Sequence, residues 1–131
     1  MAEAARTLTA AEQAVLTRLR RIYERLPGVT EERDKFGHVS IRVGKKTLAI
    51  LGVDGGVPSL GLKSDLSTQD ALVQRGRFYR TPYVGQHGWV SINGTVKQLD
   101  RPVIEDVLTA TYKAVAPRIL VKQLGEPRRS K

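Results

Sequence analysis

The hydrophobic and polar positions of this chain change period twice, first at Pro27-Gly28 and again at Asp100. Before the first point and after the second, apolar residues recur at helical spacing, which predicts long helices over residues 10–26 and 101–116. Asp100 is expected to cap the second helix, and residues 118–124 are expected to form a short further turn. The buried face of the second helix is predicted to carry Ile104, Val107, Leu108, Thr111 and Val115.

Between these helices the pattern alternates, as it does in half-buried strands. Gly44-Lys45-Lys46 is predicted to be a short turn between two strands, and residues 54–58 a looser loop. Asn93-Gly94 predicts a tight turn, from which residues 95–97 pair back as a hairpin. The predicted strands are residues 38–43, 47–51, 60–63 and 89–92.

Other helix signals complete the pattern. Thr9 and Glu12 are spaced to form a capping box at the start of the first helix. Ser67 is predicted to cap a shorter helix over residues 68–75, which Gly76 closes.

The order of elements is therefore helix, three strands, helix, strand, helix. This order predicts an α+β fold: a single domain over residues 9–124 with a twisted antiparallel β-sheet and helices packed on one face. Residues 1–8 are expected to be a flexible leader, and residues 125–131 a disordered basic tail.

The charge of the chain indicates a polyanionic partner. Lys and Arg number 22 and Asp and Glu 13, which gives a net charge of +9 and a pI near 10.3. The alternative is a basic tail on a neutral domain, but without the tail 19 basic and 12 acidic residues remain, a net charge of +7. The excess positive charge therefore belongs to the domain and favours nucleic acid as the partner.

Several function classes lack support in the sequence. The chain has no cysteine, which excludes disulfides and thiolate chemistry. No apolar run reaches the roughly 18 residues that span a bilayer, and no signal-peptide pattern begins the chain. We therefore expect a cytoplasmic protein with no membrane partner. We also expect it to be a monomer.

The candidate catalytic patterns are weak as well. Gly56 to Lys63 resembles a phosphate-binding loop, but Leu62 separates the last glycine from the lysine. His38 and His87 are far apart in sequence, and the acidic run that begins at Glu31 is typical of a solvated face. We expect no enzyme activity, no cofactor and no metal.

The aromatic residues allow two interpretations each. Trp89 is either a stacking residue or a core anchor, and Gly88 before it favours the core. The run from Arg77 to Arg80 interleaves basic and aromatic residues, which suits a surface that contacts phosphates and bases. Its alternative is a loop in which Phe78 fills the core.

Taken in order, several segments resemble the YjbR/MmcQ family of small bacterial proteins over residues 22–124. They are residues 26–31, Gly37-His38, residues 42–46, residues 60–63, residues 83–90 and residues 111–117. The resemblance implies a fold similar to the double-wing type of DNA-binding domain, in which β-hairpins meet the duplex. The chain departs from the family pattern at residues 93–95, which look like a hairpin tip.

From charge and resemblance together we expect a non-catalytic protein that binds duplex DNA through basic hairpins and loops. Lys45 and Lys46 would lie at the tip of the first wing, Lys97 near the second, and Arg77 and Arg80 between them. Two further candidates for phosphate contacts are Arg42 and Lys63.

Two alternatives stay open. Arg18, Arg21 and Arg25 form a competing basic face on the first helix. The chain could also be a binding module for a small molecule or a protein, with no nucleic-acid role.

Overall fold

The computed structural model describes residues 7–125, which form one domain. The rest of the expected leader and tail, residues 1–6 and 126–131, lies outside the described residues. A short 3-10 turn covers Gly85–His87. The helices and strands are α1 (Ala10–Tyr23), β1 (Val29–Arg33), β2 (Val39–Val43), β3 (Lys46–Asp54), β4 (Val57–Leu62), α2 (Leu66–Arg75), β5 (Phe78–Arg80), β6 (Val90–Asn93), α3 (Arg101–Val115) and α4 (Arg118–Gly125).

The six strands form one antiparallel sheet in the order β1-β2-β3-β4-β6-β5, which confirms the predicted α+β fold. Its two outermost strands, β1 and β5, were not predicted. The acidic run at Glu31 belongs to β1, and only part of this strand is buried, so it lacks a clear hydrophobic alternation. Charged residues are common on edge strands because they discourage pairing with other chains. β5 has only three residues, too few to show a period.

The predicted hairpin over residues 95–97 is wrong, and with it the placement of Lys97 on a second wing. β6 already pairs with β4 on one side and β5 on the other, so a returning strand would find no free edge. Residues 96–98 form a turn toward α3 instead. The backbone N–H of Gly94 donates a hydrogen bond of 2.9 Å to the carbonyl of Pro58, which fixes the exit from β6.

The helix caps are confirmed at α1 and α3 but not at α2. Thr9 and Glu12 form the reciprocal capping box, with backbone-to-side-chain distances of 2.9 and 3.1 Å. Asp100 accepts from the backbone of α3 as predicted. At α2, the cap is Asp65 and not Ser67: its carboxylate accepts from the N–H of Thr68 at 2.7 Å, so the helix begins two residues early.

One face of the sheet is covered and the other is open to solvent. Helices α1 and α3 both contact β3 and β4, and the core lies between them and the sheet. The alternate residues of the same strands are on the opposite side, which we call the open face. Buried core residues include Val15, Leu19, Leu51, Leu60, Ile92, Leu108 and Tyr112.

Trp89 lies on the open face, so its prediction as a core anchor is wrong. Val90 and Ile92 of β6 are fully buried in the core. Since successive side chains of a strand alternate between faces, Trp89 lies on the side opposite Val90. It is half-buried and does not belong to the hydrophobic core cluster. Phe78 is buried in the core, as the alternative interpretation of its segment predicted.

Candidate nucleic-acid interface

The hairpin between β2 and β3 presents the predicted first wing. Val43 pairs with Lys46, so the turn has two residues, Gly44 and Lys45, and Lys46 already belongs to β3. Gly44 has a φ of 58°, the positive value that the first central residue of such a turn needs. Both lysines are exposed. The wing therefore ends in a basic tip, as the sequence predicted, with one lysine at the tip and the other at the strand start.

The side chain of Arg42 is engaged within this hairpin. One of its terminal nitrogens donates to the carbonyl of Lys45 at 2.9 Å, and its Nε lies 3.9 Å from a carboxylate oxygen of Glu32. The Nε is also buried without a hydrogen-bond partner among the described residues. Arg42 thus holds the turn and is less free than the lysines to reach a ligand.

The strand register divides the other predicted residues between the two ends of the sheet. Lys63 follows the end of β4, and Arg80 ends β5; both lie at the same end as the wing. Arg77 precedes β5 and Lys97 follows β6, so both lie at the opposite end. The eight residue steps from Lys46 to Asp54 along β3 correspond to roughly 26 Å between these ends. The seven predicted residues therefore do not form one surface.

Two of the residues at the wing end are already engaged. The ammonium of Lys63 donates to the carbonyl of His87 at 3.3 Å, and its side chain is half-buried. Arg80 forms an ion pair of 3.2 Å with Asp70 of α2. Lys45 and Lys46 have no ion-pair partner within the described part of the chain, so they are the best placed of the seven to contact phosphate.

The structure adds basic residues from α3, α4 and the turn after α1 to the wing end. The hydroxyl of Tyr112 in α3 donates to the carbonyl of Pro27, just before β1, at 2.6 Å. A Cβ on Gly28 would lie 2.6 Å from the Leu120 side chain, so α4 packs against the same turn. Val29 pairs with Val43 beside the wing. The ends of α1 and α3, the start of α4 and the β2–β3 turn therefore meet at one place.

We call this place the basic end and define it by residues 24–29, 42–47 and 112–122. These segments carry seven Lys or Arg residues and one acid, Glu24, a net +6 of the chain's +9. Sequence reasoning named Arg25 only as part of a competing face, and it missed Lys113, Arg118 and Lys122. No local signal distinguished these three, because they come together with the wing only through the packing of α3 and α4.

The opposite end of the sheet is more balanced in charge. There, Arg75 forms an ion pair of 3.5 Å with Asp100, and Asn93 bonds to Asp54 at 3.3 Å. Arg77 is exposed and has a φ of 72°, a left-handed conformation that is uncommon outside glycine. Arg77 and Lys97 lie near these acids, whereas the segments that define the basic end contain one acid, Glu24, and Glu32 of β1 lies beside Arg42.

The segment from Tyr83 to Val90 is held in place by one buried side chain. The amide nitrogen of Gln69 in α2 donates to the carbonyls of Gly85 and Trp89 at 2.6 and 2.8 Å. Gly88 has a φ of 95°, and a Cβ there would lie 2.2 Å from the carbonyl oxygen of Ser64. A glycine is therefore required at position 88, and the position of Trp89 depends on α2.

The candidate metal and phosphate sites of the sequence do not come together. His38 precedes β2 at the end opposite the wing, and His87 lies at the wing end. In residues 7–125, no group of three or more His, Cys, Asp or Glu side chains is arranged to hold a metal ion. Gly56 to Lys63 is mostly strand β4, which is not the strand-to-helix turn of a phosphate loop. Within the same range, no helix is long and apolar enough to cross a membrane.

An open antiparallel sheet with helices on one face and a basic wing at one end defines an α+β domain of the kind the sequence resembles. The family model of YjbR matches residues 24–114, and the chain belongs to the YjbR family. The fold is similar to that of the Deinococcus radiodurans protein DR2400, described as having a DUF419 domain, with a TM-score of 0.65 and 18% identity. That match covers 91% of this chain and 94% of the other. No curated protein matches the sequence.

Proposed function

We propose that this protein binds duplex DNA without catalysis, through the basic end of its sheet. The observation that carries the proposal is the meeting of the β2–β3 wing with the ends of α1, α3 and α4, which collects a net +6 in residues 24–29, 42–47 and 112–122. Because like charges repel, such a cluster raises the electrostatic free energy of the unbound protein. A bound polyanion removes that repulsion.

The shape of the basic end suits a duplex. A two-stranded ribbon fits the major groove, which is about 12 Å wide. With the wing in the groove, Lys45 at its tip would be closest to the bases, and Lys113, Arg118 and Lys122 of the neighbouring helices would be available for phosphate contacts. Phosphate contacts of this kind position a protein on DNA and supply affinity, but they do not read sequence. We therefore expect weak sequence preference.

The proposal contains no catalytic step. The basic end brings together positive charge and one exposed acid, Glu24, and offers no pair of groups that could serve as acid and base.

Fluorescence anisotropy with labelled duplex DNA, single-stranded DNA and RNA across a salt series tests the proposal. If about five phosphates are neutralised, log K should fall with log salt at a slope of roughly −4 to −5 on the duplex. Single strands should give a shallower slope, because they release fewer counterions per contact. An affinity for the duplex that does not change between low and moderate salt would contradict the proposal.

A further inference from the structure

We propose that the open face of the sheet contains a second binding site, a groove for a small planar ring that carries an N–H or O–H donor. The groove has a volume of about 170 Å³ and lies over β3, β4 and β6. No residue of the basic end lines it, so the site does not depend on DNA binding. The lining residues on which the proposal depends are His38, Gly52, Gly61, Thr81, Trp89 and Ser91.

The floor of the groove is backbone, because two glycines face it from neighbouring strands. Gly61 pairs with Ile50, and Gly52 pairs with Ser59, so the two glycines lie diagonally across β3 and β4. A Cβ on Gly52 would lie 2.5 Å from Cδ2 of His38. Glycine at this position is therefore what lets the imidazole approach the strand so closely.

The indole of Trp89 lines the groove, and two exposed aromatic residues neighbour lining residues. The indole of Trp89 lies beside Gly61, with its Cε3 3.7 Å from where a Cβ would be. Outside the lining, the ring of Phe36 lies 6.4 Å from that of His38 and is 68% exposed. Tyr83, next to the lining residue Val84, is 96% exposed and is held at a φ of 69°. The indole of Trp89 therefore offers a flat surface on which a planar ligand can stack.

Among the polar groups of the groove, the imidazole of His38 is held in one orientation by Asp34, and its second ring nitrogen, Nε2, is left to contact a ligand. Nδ1 of His38 lies 3.1 Å from a carboxylate oxygen of Asp34, whose other oxygen accepts the backbone N–H groups of Phe36 and His38 at 2.9 Å each. Partial burial opposes ionisation of Asp34, but the hydrogen bonds from His38 and Phe36 outweigh it and lower the pKa of this carboxyl.

The ionised Asp34 holds the proton of the imidazole on Nδ1. In the neutral ring Nε2 is then an acceptor, and it lies over the groove floor, 3.1 Å from the Cβ position of Gly52. A ligand that fills the groove should therefore present a donor to Nε2. The hydroxyls of Thr81 and Ser91 are 2.7 Å apart and satisfy each other.

The size of the groove limits the ligand to about one ring. An apolar protein cavity of roughly 150 Å³ holds one benzene molecule. A groove of about 170 Å³ therefore suits a single six-membered ring, with the donor toward His38 and a face toward Trp89.

A second cleft of similar volume, between the start of α2 and α3, is a weaker candidate. Its polar groups are already hydrogen-bonded within the protein. Asp65 caps α2, Ser64 donates to the carbonyl of Gly88, and Thr111 donates to the carbonyl of Lys63. It has no oriented group left to select a ligand.

Nuclear magnetic resonance titrations with three small probes test the groove. Phenol has a planar ring and a donor, anisole has the ring without the donor, and cyclohexanol has the donor without the planar ring. We expect phenol to shift the indole N–H signal of Trp89, the single tryptophan, and the ring signals of His38. Anisole and cyclohexanol should bind at least about fivefold more weakly. Equal binding of all three probes would overturn the proposal.

A groove-filling variant gives an independent test. Gly61→Ala places its methyl group at ordinary contact distances of 3.6 to 3.8 Å from its neighbours, so the fold should tolerate it while the floor rises. We expect phenol affinity to fall at least about fivefold with little change in melting temperature. Ser40→Ala, on the same face of β2 but outside the groove, is the matched control and should bind phenol normally. Unchanged phenol binding by Gly61→Ala overturns the proposal.

The same titration identifies the source of the ring. Thymidine offers a planar ring with an N–H donor, and a short thymidine oligonucleotide offers the same ring within a single strand. We expect the two to act at similar concentrations per ring. If the oligonucleotide shifts Trp89 and His38 at far lower concentrations, the occupant is a base of a single strand, and the assignment to a small molecule is wrong.

Discussion

The hydroxyl of Tyr112 donates a hydrogen bond of 2.6 Å to the carbonyl oxygen of Pro27, across 85 residues of sequence. Tyr112 is fully buried, and the bond joins the last turns of α3 to the turn between α1 and β1. This contact is one of those that bring the helix ends beside the β2–β3 wing, so it connects the stability of the core to the geometry of the basic end.

Tyr112→Phe should lower the free energy of unfolding by about 1–2 kcal/mol, because it removes a buried hydrogen bond and leaves the carbonyl of Pro27 without that donor. Urea unfolding measures this difference. Tyr79→Phe is a suitable control, since its hydroxyl also bonds, to Asn93 at 2.8 Å, but outside the core. A change at Tyr112 no larger than that at Tyr79 would contradict a special role for the contact.

The same residue predicts a pH dependence. Burial raises the pKa of Tyr112 above its ordinary value of 10.0. The folded state therefore favours the neutral phenol, and its contribution to stability is present below pH 10 and is lost as the pH rises through the folded-state pKa. We expect the stability of the wild-type protein to fall above about pH 10 more steeply than that of Tyr112→Phe. Parallel curves for the two proteins from pH 8 upward would refute the prediction.

Two double variants with equal loss of charge separate the basic end from the opposite end of the sheet. Lys45→Ala with Lys46→Ala should weaken duplex binding and reduce the salt slope by up to about 2, since each phosphate contact contributes close to one unit. Arg77→Ala with Lys97→Ala removes the same charge at the other end and should change the slope little. Anisotropy at several salt concentrations compares them.

Equal effects of the two double variants would indicate that net charge alone attracts DNA. If the wing variant binds DNA as the wild type does, the competing basic face is the interface, and Arg18 and Arg21 of α1 and Arg25 of the turn after it are the residues to replace next.

Trp89→Ala should cost less stability than a core aromatic residue does. A buried Phe or Trp replaced by Ala costs about 3–5 kcal/mol, and for the half-buried Trp89 we expect roughly 1–2 kcal/mol. Phe78→Ala is the control, because Phe78 is 7% exposed in the core beside the neighbouring strand. Urea unfolding of both variants checks the order. If Trp89→Ala is the more destabilised of the two, the indole is more deeply packed than its position on the open face indicates.

Gly88→Ala should be strongly destabilising, by more than the roughly 1–3 kcal/mol expected for a strained backbone alone. Its φ is 95° and its Cβ would meet the carbonyl oxygen of Ser64 at 2.2 Å. Gly76→Ala separates the two causes, since Gly76 has a φ of 88° and no atom within 4 Å of the added methyl group. Thermal unfolding of both variants measures the difference, and equal losses would mean that the clash at Gly88 is relieved by movement.

The sequence alone determined the elements whose signals are local. The capping box of Thr9 and Glu12 and the start of α3 after Asp100 depend on neighbours within a few residues, and both are confirmed. The end of α1 ahead of Pro27-Gly28 is confirmed too, but the helix stops at Tyr23, three residues earlier than predicted. The wing at Gly44 and Lys45 was likewise predictable, because two alternating strands flank a short turn that begins with glycine. The resemblance to the family rested on other short segments, among them residues 26–31, 42–46 and 83–90.

Tertiary structure decided what depends on partners distant in sequence. β1 is a strand because the edge of β2 was free to pair with it, and residues 95–97 are not a strand because both edges of β6 are occupied. Trp89 lies on the open face because Val90 and Ile92, the alternate residues of β6, point into the core. Arg77 and Lys97 lie at the end of the sheet opposite the wing because the strand register places them there. Net charge was evident in the composition, but its concentration at one end required the packing of α3 and α4 against the turn at Gly28. Local patterns specify elements because backbone hydrogen bonds and caps act over a few residues, whereas a surface is assembled from side chains that only the folded chain brings together.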